Sequence, residues 1–250
     1  MILPDLFLTA PLAHRGFHDA ASGRPENSRA AFEAAIAHGY GIELDLQLSA
    51  DGQAMVFHDY DLKRLTAEKG PVRQRMSKDL SGIRLRHGDE GIPTLTDVLD
   101  LVDGRVPLLI EIKDQDGAMG PRTGQLEQVA AEVLKSYQGP AAVMSFNPHA
   151  VAAFSQHHDG LPLGLTTAAF KQVNWPLLPA ATRKFLRSIP DFDRVGASFI
   201  SHDVNDLKSP HVSRLKSRGI PVLTWTIRSA KAEETSRQIA DNITFEGYEA

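Results

Sequence analysis

The sequence predicts an α/β fold in which eight parallel strands, each followed by a helix, close into a (β/α)8 TIM barrel. Two observations carry that expectation. Short apolar runs alternate with longer helical patterns to the end of the chain, the signature of parallel strands joined by helical crossovers. The runs that read as strands number eight, at 11–14, 41–49, 106–113, 141–146, 163–167, 197–201, 222–227 and 242–245, and 250 residues is the usual size of one such barrel. Helical patterns fill the gaps at 28–38, 94–102, 125–137, 149–157, 176–188, 205–217 and 230–239. No low-complexity segment or Pro/Ser-rich linker divides the chain, so residues 1–250 read as a single domain.

A further apolar run, 53–59, stands outside this count because only Ala50, Asp51 and Gly52 separate it from Ser49. Parallel neighbours need a crossover of about a dozen residues. Asp51-Gly52 is instead a hairpin signal, since a type I′ turn needs positive φ at both central positions. The segment is expected to return antiparallel to the second strand and so to distort the barrel. With Asp51 and Gly52 as a two-residue loop, position i faces position 103 − i, and Asp45 falls opposite His58 on one face.

Twenty-seven Lys and Arg oppose 31 Asp and Glu, a formal charge of −4. That balance lacks the basic footprint of a nucleic-acid binder, so no such partner is expected. The absence of cysteine excludes disulfides, thiolate metal ligands and a Cys nucleophile, leaving oxygen and imidazole as metal donors. The first dozen residues, MILPDLFLTAPL, are apolar but carry no basic residue and contain Pro4 and Asp5, so they are not read as a signal peptide. No apolar run approaches the roughly 18 residues of a membrane span, so stable membrane insertion is not expected and the cytoplasm is the default location.

In the second strand, IELDLQLS, the leucines occupy one face and Glu43, Asp45 and Gln47 the other. A parallel-barrel strand is covered on its outer face by helices. The leucines then face the helices, and Glu43 and Asp45 point inward, where unpaired carboxylates are costly unless a cation compensates them. An exposed edge strand with solvated acids is the alternative. The run VPLLIEIK repeats the device, with Glu111 and Lys113 at the C-terminal end where barrel active sites are built; a structural Glu–Lys ion pair would share this pattern.

Three carboxylates on two strands suit one divalent cation, Mg2+ or Ca2+, whereas zinc more often recruits several His or Cys. His14, Arg15 and Gly16 end the first strand. A lone histidine is more often structural than catalytic, but two at strand ends, His14 and His58, beside a carboxylate cluster point to a general acid and base. Phe146 and Trp225 also sit at strand ends, where they either line a pocket or pack in the core. His157 and His158 read as solvated surface residues.

These pieces occur in a fixed order: His14-Arg15-Gly16, Pro25-Glu26-Asn27-Ser28, Glu43-Leu44-Asp45, Asp51-Gly52, His58-Asp59, Pro93-Thr94-Leu95, Glu111-Ile112-Lys113, Ser145-Phe146 and Trp225-Thr226. In that order, over essentially the whole chain, the sequence resembles the glycerophosphodiester phosphodiesterase family. The resemblance implies a distorted barrel with a small insertion after His-Asp, here 60–92, a divalent cation, and hydrolysis of a small-molecule glycerophosphodiester to glycerol 3-phosphate and an alcohol. By matching position it implies that Glu43, Asp45 and Glu111 bind the metal, that His14 and His58 are the acid and base, and that Arg15 and Lys113 bind the phosphate. It further implies attack by the neighbouring glycerol hydroxyl to form a cyclic phosphate, with direct attack by water as the alternative.

Those roles match phosphoryl transfer, which needs charge stabilisation at the equatorial oxygens and proton transfer at the entering and leaving ones. Competing readings are a lysophospholipid or other phosphodiester hydrolase on the same site, and a non-catalytic barrel that senses phosphate esters. A binding module has no need of the two histidines.

Within the motif Glu26-Asn27-Ser28, Asn27 and Ser28 read equally as site residues and as an N-cap for the following helix. Ser28 stands where the family commonly has Thr, which keeps the hydroxyl. The family often ends its last strand in Thr-Asp-x-Pro, whereas this chain has Phe245-Glu246-Gly247, a departure on the leaving-group side of the pocket. The insertion reads as a solvated excursion, but its eight Lys or Arg against five acids give a local charge of +3, able to steer anionic diesters to the barrel mouth.

Overall fold

A closed ring of eight parallel strands forms the centre of the computed structural model, which describes residues Met1–Ala250. Strand β1 (Leu12–His14) pairs with β2 (Gly41–Leu48) on one side and β9 (Asn242–Phe245) on the other. The ring is completed by β4 (Leu108–Ile112), β5 (Ala141–Ser145), β6 (Leu163–Thr167), β7 (Phe199–Asp203) and β8 (Val222–Ile227). The ninth strand, β3 (Ala54–Val56), runs antiparallel to β2. Because β1 ends at His14 opposite Glu43, the C-terminal part of β2 has a free edge on that side, and β3 covers it. No helix is long and apolar enough to cross a membrane.

The helices are α1 (Leu6–Thr9), α2 (Arg29–Ala37), α3 (Ser77–Gly82), α4 (Leu95–Val102), α5 (Gln125–Leu134), α6 (Pro148–Ser155), α7 (Ala180–Arg187), α8 (Pro210–Lys216) and α9 (Ala230–Ser236). Their starts are written locally. Thr94 and Asp97 form a reciprocal capping box on α4, and α6 opens with Asn147 as N-cap and Pro148 at its first position. Leu44, Leu46 and Leu48 join Ile110 and Ile112 in the buried layer between ring and helices, as the period of two requires. Inside the ring, Leu12, Leu109, Ala142, Met144, Phe199 and Leu223 pack against Leu3 and Phe7. The apolar N-terminal segment is thus a plug for the barrel floor, tied down by Asn242, whose Nδ2 donates to the Phe7 and Ala10 carbonyls at 2.8 and 2.6 Å.

Five expectations are corrected. The hairpin pairs Leu46 with Val56 and Gln47 with Met55, so position i faces 102 − i and Asp45 lies opposite Phe57, not His58. The turn holds positive φ only at Gly52, at 76°, so Ala50, Asp51 and Gly52 form a three-residue loop instead of a type I′ turn. Asp51 is engaged elsewhere: its carboxylate accepts from the Ser77 N–H and hydroxyl at 2.8 and 2.7 Å, anchoring the turn to α3.

Strand β7 lies two residues beyond its expected 197–201. The helix expected at 205–217 is split, with a 3-10 turn over Val204–Asp206 before Pro210 opens α8. The insertion is not a solvated excursion. It folds around Met55, Phe57, Leu62, Val72, Leu80, Ile83, Leu85 and Ile92, all buried.

Candidate active site

Register alone brings the charged residues together. His14 is the Cα partner of Glu43, and Asp45 that of Glu111, so four functional side chains of β1, β2 and β4 share one end of the ring. The chain then turns sharply: Arg15 and Gly16 both have positive φ, and a Cβ on Gly16 would meet Ala31 and Phe32 at 2.9 Å, so only glycine fits there. That turn aims the Arg15 backbone N–H at Glu43 Oε2, 3.1 Å away. A cavity of about 190 Å³ results. It is lined by all nine residues singled out in the sequence: His14, Arg15, Glu43, Asp45, His58, Glu111, Lys113, Phe146 and Trp225.

Glu43, Asp45 and Glu111 are no more than 5% exposed, and one oxygen from each lies within 4.8 Å of the others. Lys113 Nζ sits against Asp45 Oδ1 at 2.7 Å and Glu111 Oε1 at 2.5 Å. Arg15 reaches Asp45 Oδ2 at 3.4 Å and Glu26 Oε1 at 2.6 Å. Burial pushes Glu43 well above the usual carboxylate range, and repulsion from Asp45 and Glu111 adds to it. Burial would raise Asp45 too, but Lys113, His58 and Arg15 hold it below its ordinary value. For Lys113 the desolvation that would lower its pKa is outweighed by Asp45 and Glu111, so the ammonium stays charged. With Lys113 paired to Asp45 and Glu111 and Arg15 to Asp45, Glu43 is the least compensated carboxylate of the trio.

The two histidines are held alike. His14 Nδ1 lies 2.5 Å from Glu246 Oε2, and His58 Nδ1 lies 2.7 Å from Asp59 Oδ1. Each leaves Nε2 free. Burial, reinforced by Arg15 and opposed by Glu246, pushes His14 down to about 4, so its ring is neutral at pH 7 and Nδ1–H donates to the carboxylate. His58 reaches the cavity although its paired register was wrong: β3 ends at Val56 and the chain bends, carrying His58 back over Asp45. The insertion contributes Arg64, which clamps Asp59 at 2.6 Å and Glu26 at 2.7 Å. Arg64 is thereby committed to holding the site and is not free to steer substrate.

The two readings of Asn27 and Ser28 both apply. Ser28 caps α2, accepting from the Ala31 N–H at 3.0 Å. Asn27, fully buried, donates from Nδ2 to Asp45 Oδ2 at 2.9 Å. Phe146 and Trp225 likewise do both, lining the cavity while packing edge to face at 5.5 Å within a cluster that includes Phe170 and Trp175. His157 and His158 lie outside the cavity, where His158 stacks on Phe154. Sequence reasoning missed Glu246 and Arg228, and the inward hydroxyls of Thr166, Ser201 and Thr244, which have no partner within the protein. The period of two continued from Asn242 and Thr244 would have pointed Glu246 inward.

A (β/α)8 barrel with a carboxylate trio and two histidines at the C-terminal mouth is the architecture of a phosphoric diester hydrolase. The chain belongs to the glycerophosphoryl diester phosphodiesterase family, whose model matches residues 14–243. A glycerophosphodiester phosphodiesterase of Bacillus altitudinis is 33% identical, over 64% of this chain and 67% of that one. Glycerophosphodiester phosphodiesterase 1 of Bos taurus is 32% identical over 87% of this chain and 71% of its own. Among solved structures, an Oleispira antarctica phosphodiesterase in complex with the product sn-glycerol-3-phosphate has the same fold, with a TM-score of 0.76, 24% identity, and coverage of 96% of this chain and 93% of its own.

Proposed function

We propose that this chain hydrolyses water-soluble glycerophosphodiesters in the cytoplasm to glycerol 3-phosphate and an alcohol, with one divalent cation, Mg2+ or Ca2+. The observation that supports this reading is the convergence of three carboxylates and two oriented histidines on one cavity. The donor set fits a hard cation: all three donors are carboxylates, their oxygens are close enough to share one ion, and Lys113 and Arg15 only partly offset the burial and repulsion that act on Glu43. Glu43, Asp45 and Glu111 would hold the ion, and it would supply positive charge to the phosphoryl oxygens.

The protein's own groups account for the rest. Arg15 and Lys113 present cationic groups beside the same carboxylates, where the phosphate would sit. One histidine Nε2 takes the proton of the neighbouring glycerol hydroxyl as its oxygen bonds to phosphorus. The other histidine donates a proton to the alcohol oxygen as that P–O bond breaks. Water then opens the resulting cyclic phosphate with the two proton transfers reversed, so no net proton is left on either histidine. Phe146 and Trp225 supply apolar contact to the carbon skeleton, and Thr166, Ser201 and Thr244 offer hydroxyls to the substrate's polar groups.

A second reading, cleavage of a lysophospholipid, is favoured by one observation. Val173 and Leu177, 82% and 91% exposed, flank Trp175, which packs on Phe146 at the cavity wall. The test is product analysis across a panel of glycerophosphodiesters and lysophospholipids, after chelation and after return of Mg2+ or Ca2+. Cation-dependent release of glycerol 3-phosphate from glycerophosphocholine or glycerophosphoethanolamine is expected. Turnover confined to lysophospholipids would favour the second reading, and no cation-dependent turnover on any diester would refute both.

A further inference from the structure

The departure from Thr-Asp-x-Pro at the end of the barrel places Glu246 one inward step beyond Thr244. Its backbone N–H is fixed by the Ile227 carbonyl at 2.9 Å. One carboxylate oxygen, Oε1, accepts from Arg228 Nε at 2.8 Å and lies 2.7 Å from Nη2. The other, Oε2, lies 2.5 Å from His14 Nδ1, with His18 Nε2 at 3.6 Å. The contact with His14 spans 232 positions of sequence and is mostly screened from solvent, the two side chains being 12% and 19% exposed.

We propose that Glu246, clamped by Arg228, is the positioning residue that fixes the ring orientation and tautomer of His14, so that Nε2 faces the reacting phosphate. A carboxylate on Nδ1 holds the proton there and leaves Nε2 as the basic nitrogen, the logic by which an orienting acid serves a catalytic imidazole. His14 Nε2 indeed points toward the carboxylate cluster, 3.9 Å from Glu43 Oε2. The second histidine repeats the construction with different parts: Arg64 clamps Asp59, and Asp59 holds His58 Nδ1. The site therefore contains two arginine–carboxylate–imidazole relays. One combines Arg64 of the insertion with the two residues just before it, and the other joins the end of β1 to residues just beyond β8 and β9.

The inference rests on the proposed hydrolysis only for its kinetic consequence, so the test has an arm that needs no turnover. Histidine ring nitrogens are read by long-range 1H–15N correlation spectra in the wild type and in E246A, E246Q and E246D, with H14Q used to identify the His14 signals. The wild type is expected to show His14 as the Nδ1–H tautomer, and E246A a shift toward Nε2–H. Kinetically, E246A should lower kcat about 10–100-fold. KM and cation affinity should stay within about twofold, and E246D, which retains a carboxylate one methylene shorter, should recover part of the loss. An unchanged tautomer in folded E246A, or a variant that loses only thermal stability while keeping kcat, overturns the proposal. If the wild type turns over no diester, the proposed function fails and the tautomer measurement alone decides the role of Glu246.

Discussion

Neutralising Glu43 should make the cation-free protein more stable while weakening its hold on the cation. Lys113 lies against Asp45 and Glu111, and Arg15 against Asp45, but Glu43 receives only the Arg15 backbone N–H at 3.1 Å. Two unit charges 4.8 Å apart interact by about 3.5 kcal/mol at an effective dielectric of about 20. Lys113 already offsets part of that repulsion, so E43Q should stabilise the chelated protein by about 1–3 kcal/mol. For a chain of this size that is roughly 2–12 °C in Tm.

The pH dependence has a definite sign. Burial and two like charges raise the folded-state pKa of Glu43 above its ordinary 4.5. Its contribution to stability is therefore complete below that value and is lost as pH rises toward the folded-state pKa. The advantage of E43Q should widen from pH 5 to pH 8. The assay is calorimetric unfolding of wild type and E43Q with chelator, then with excess Mg2+ or Ca2+. Cation should raise the Tm of the wild type more than that of E43Q. A chelated E43Q that melts below the wild type, with an undiminished cation response, would refute the reasoning.

Three further outcomes follow from the packing. Phe7→Ala, in the fully buried plug beneath the barrel, should cost about 3–5 kcal/mol of stability yet leave kcat and KM near wild type at a temperature where it is folded; a large kcat loss in the folded variant would mean the floor is coupled to the site. Inserting one residue between Asp51 and Gly52 should disturb the Ser77 anchor and displace His58, lowering kcat by about 10²-fold with little change in Tm; near-normal turnover would remove the hairpin from catalysis. Asn27→Ala deletes the amide that orients Asp45 at 2.9 Å, so titration calorimetry should show cation affinity about 10–100-fold weaker, and an unchanged affinity would contradict that role.

Much of the site was legible because it obeys a period of two. Leu44, Leu46 and Leu48 must face the helices, which drives Glu43 and Asp45 inward, and the same alternation carries Glu111 and Lys113 to one face of β4. The hairpin was legible as a hairpin, but its register depended on a single choice between a two-residue and a three-residue loop. Asp51 settles it by bonding to Ser77, twenty-six positions away, which no local turn rule contains. Charge counts suggested a solvated insertion because its six buried apolar residues are scattered across 62–92 without a clean period. Glu246 was visible as a departure from a family pattern and as an inward position by the period of two, but its partners His14 and Arg228 lie on β1 and just beyond β8, so only closure of the ring reveals what its carboxylate holds.

The most direct test of the proton relay compares His14→Gln and His58→Gln on two substrates, a glycerophosphodiester with a poor alcohol leaving group and a p-nitrophenyl phosphodiester, after cation content and folding are matched to the wild type. General acid or base catalysis contributes about 10²–10⁴ in rate, so each variant should lose that much kcat on the poor leaving group. The histidine acting as acid should be largely dispensable for the nitrophenyl ester, whose leaving group needs little protonation. If neither variant loses more than a few-fold on the glycerophosphodiester, His14 and His58 are structural and the proposed proton transfers do not occur.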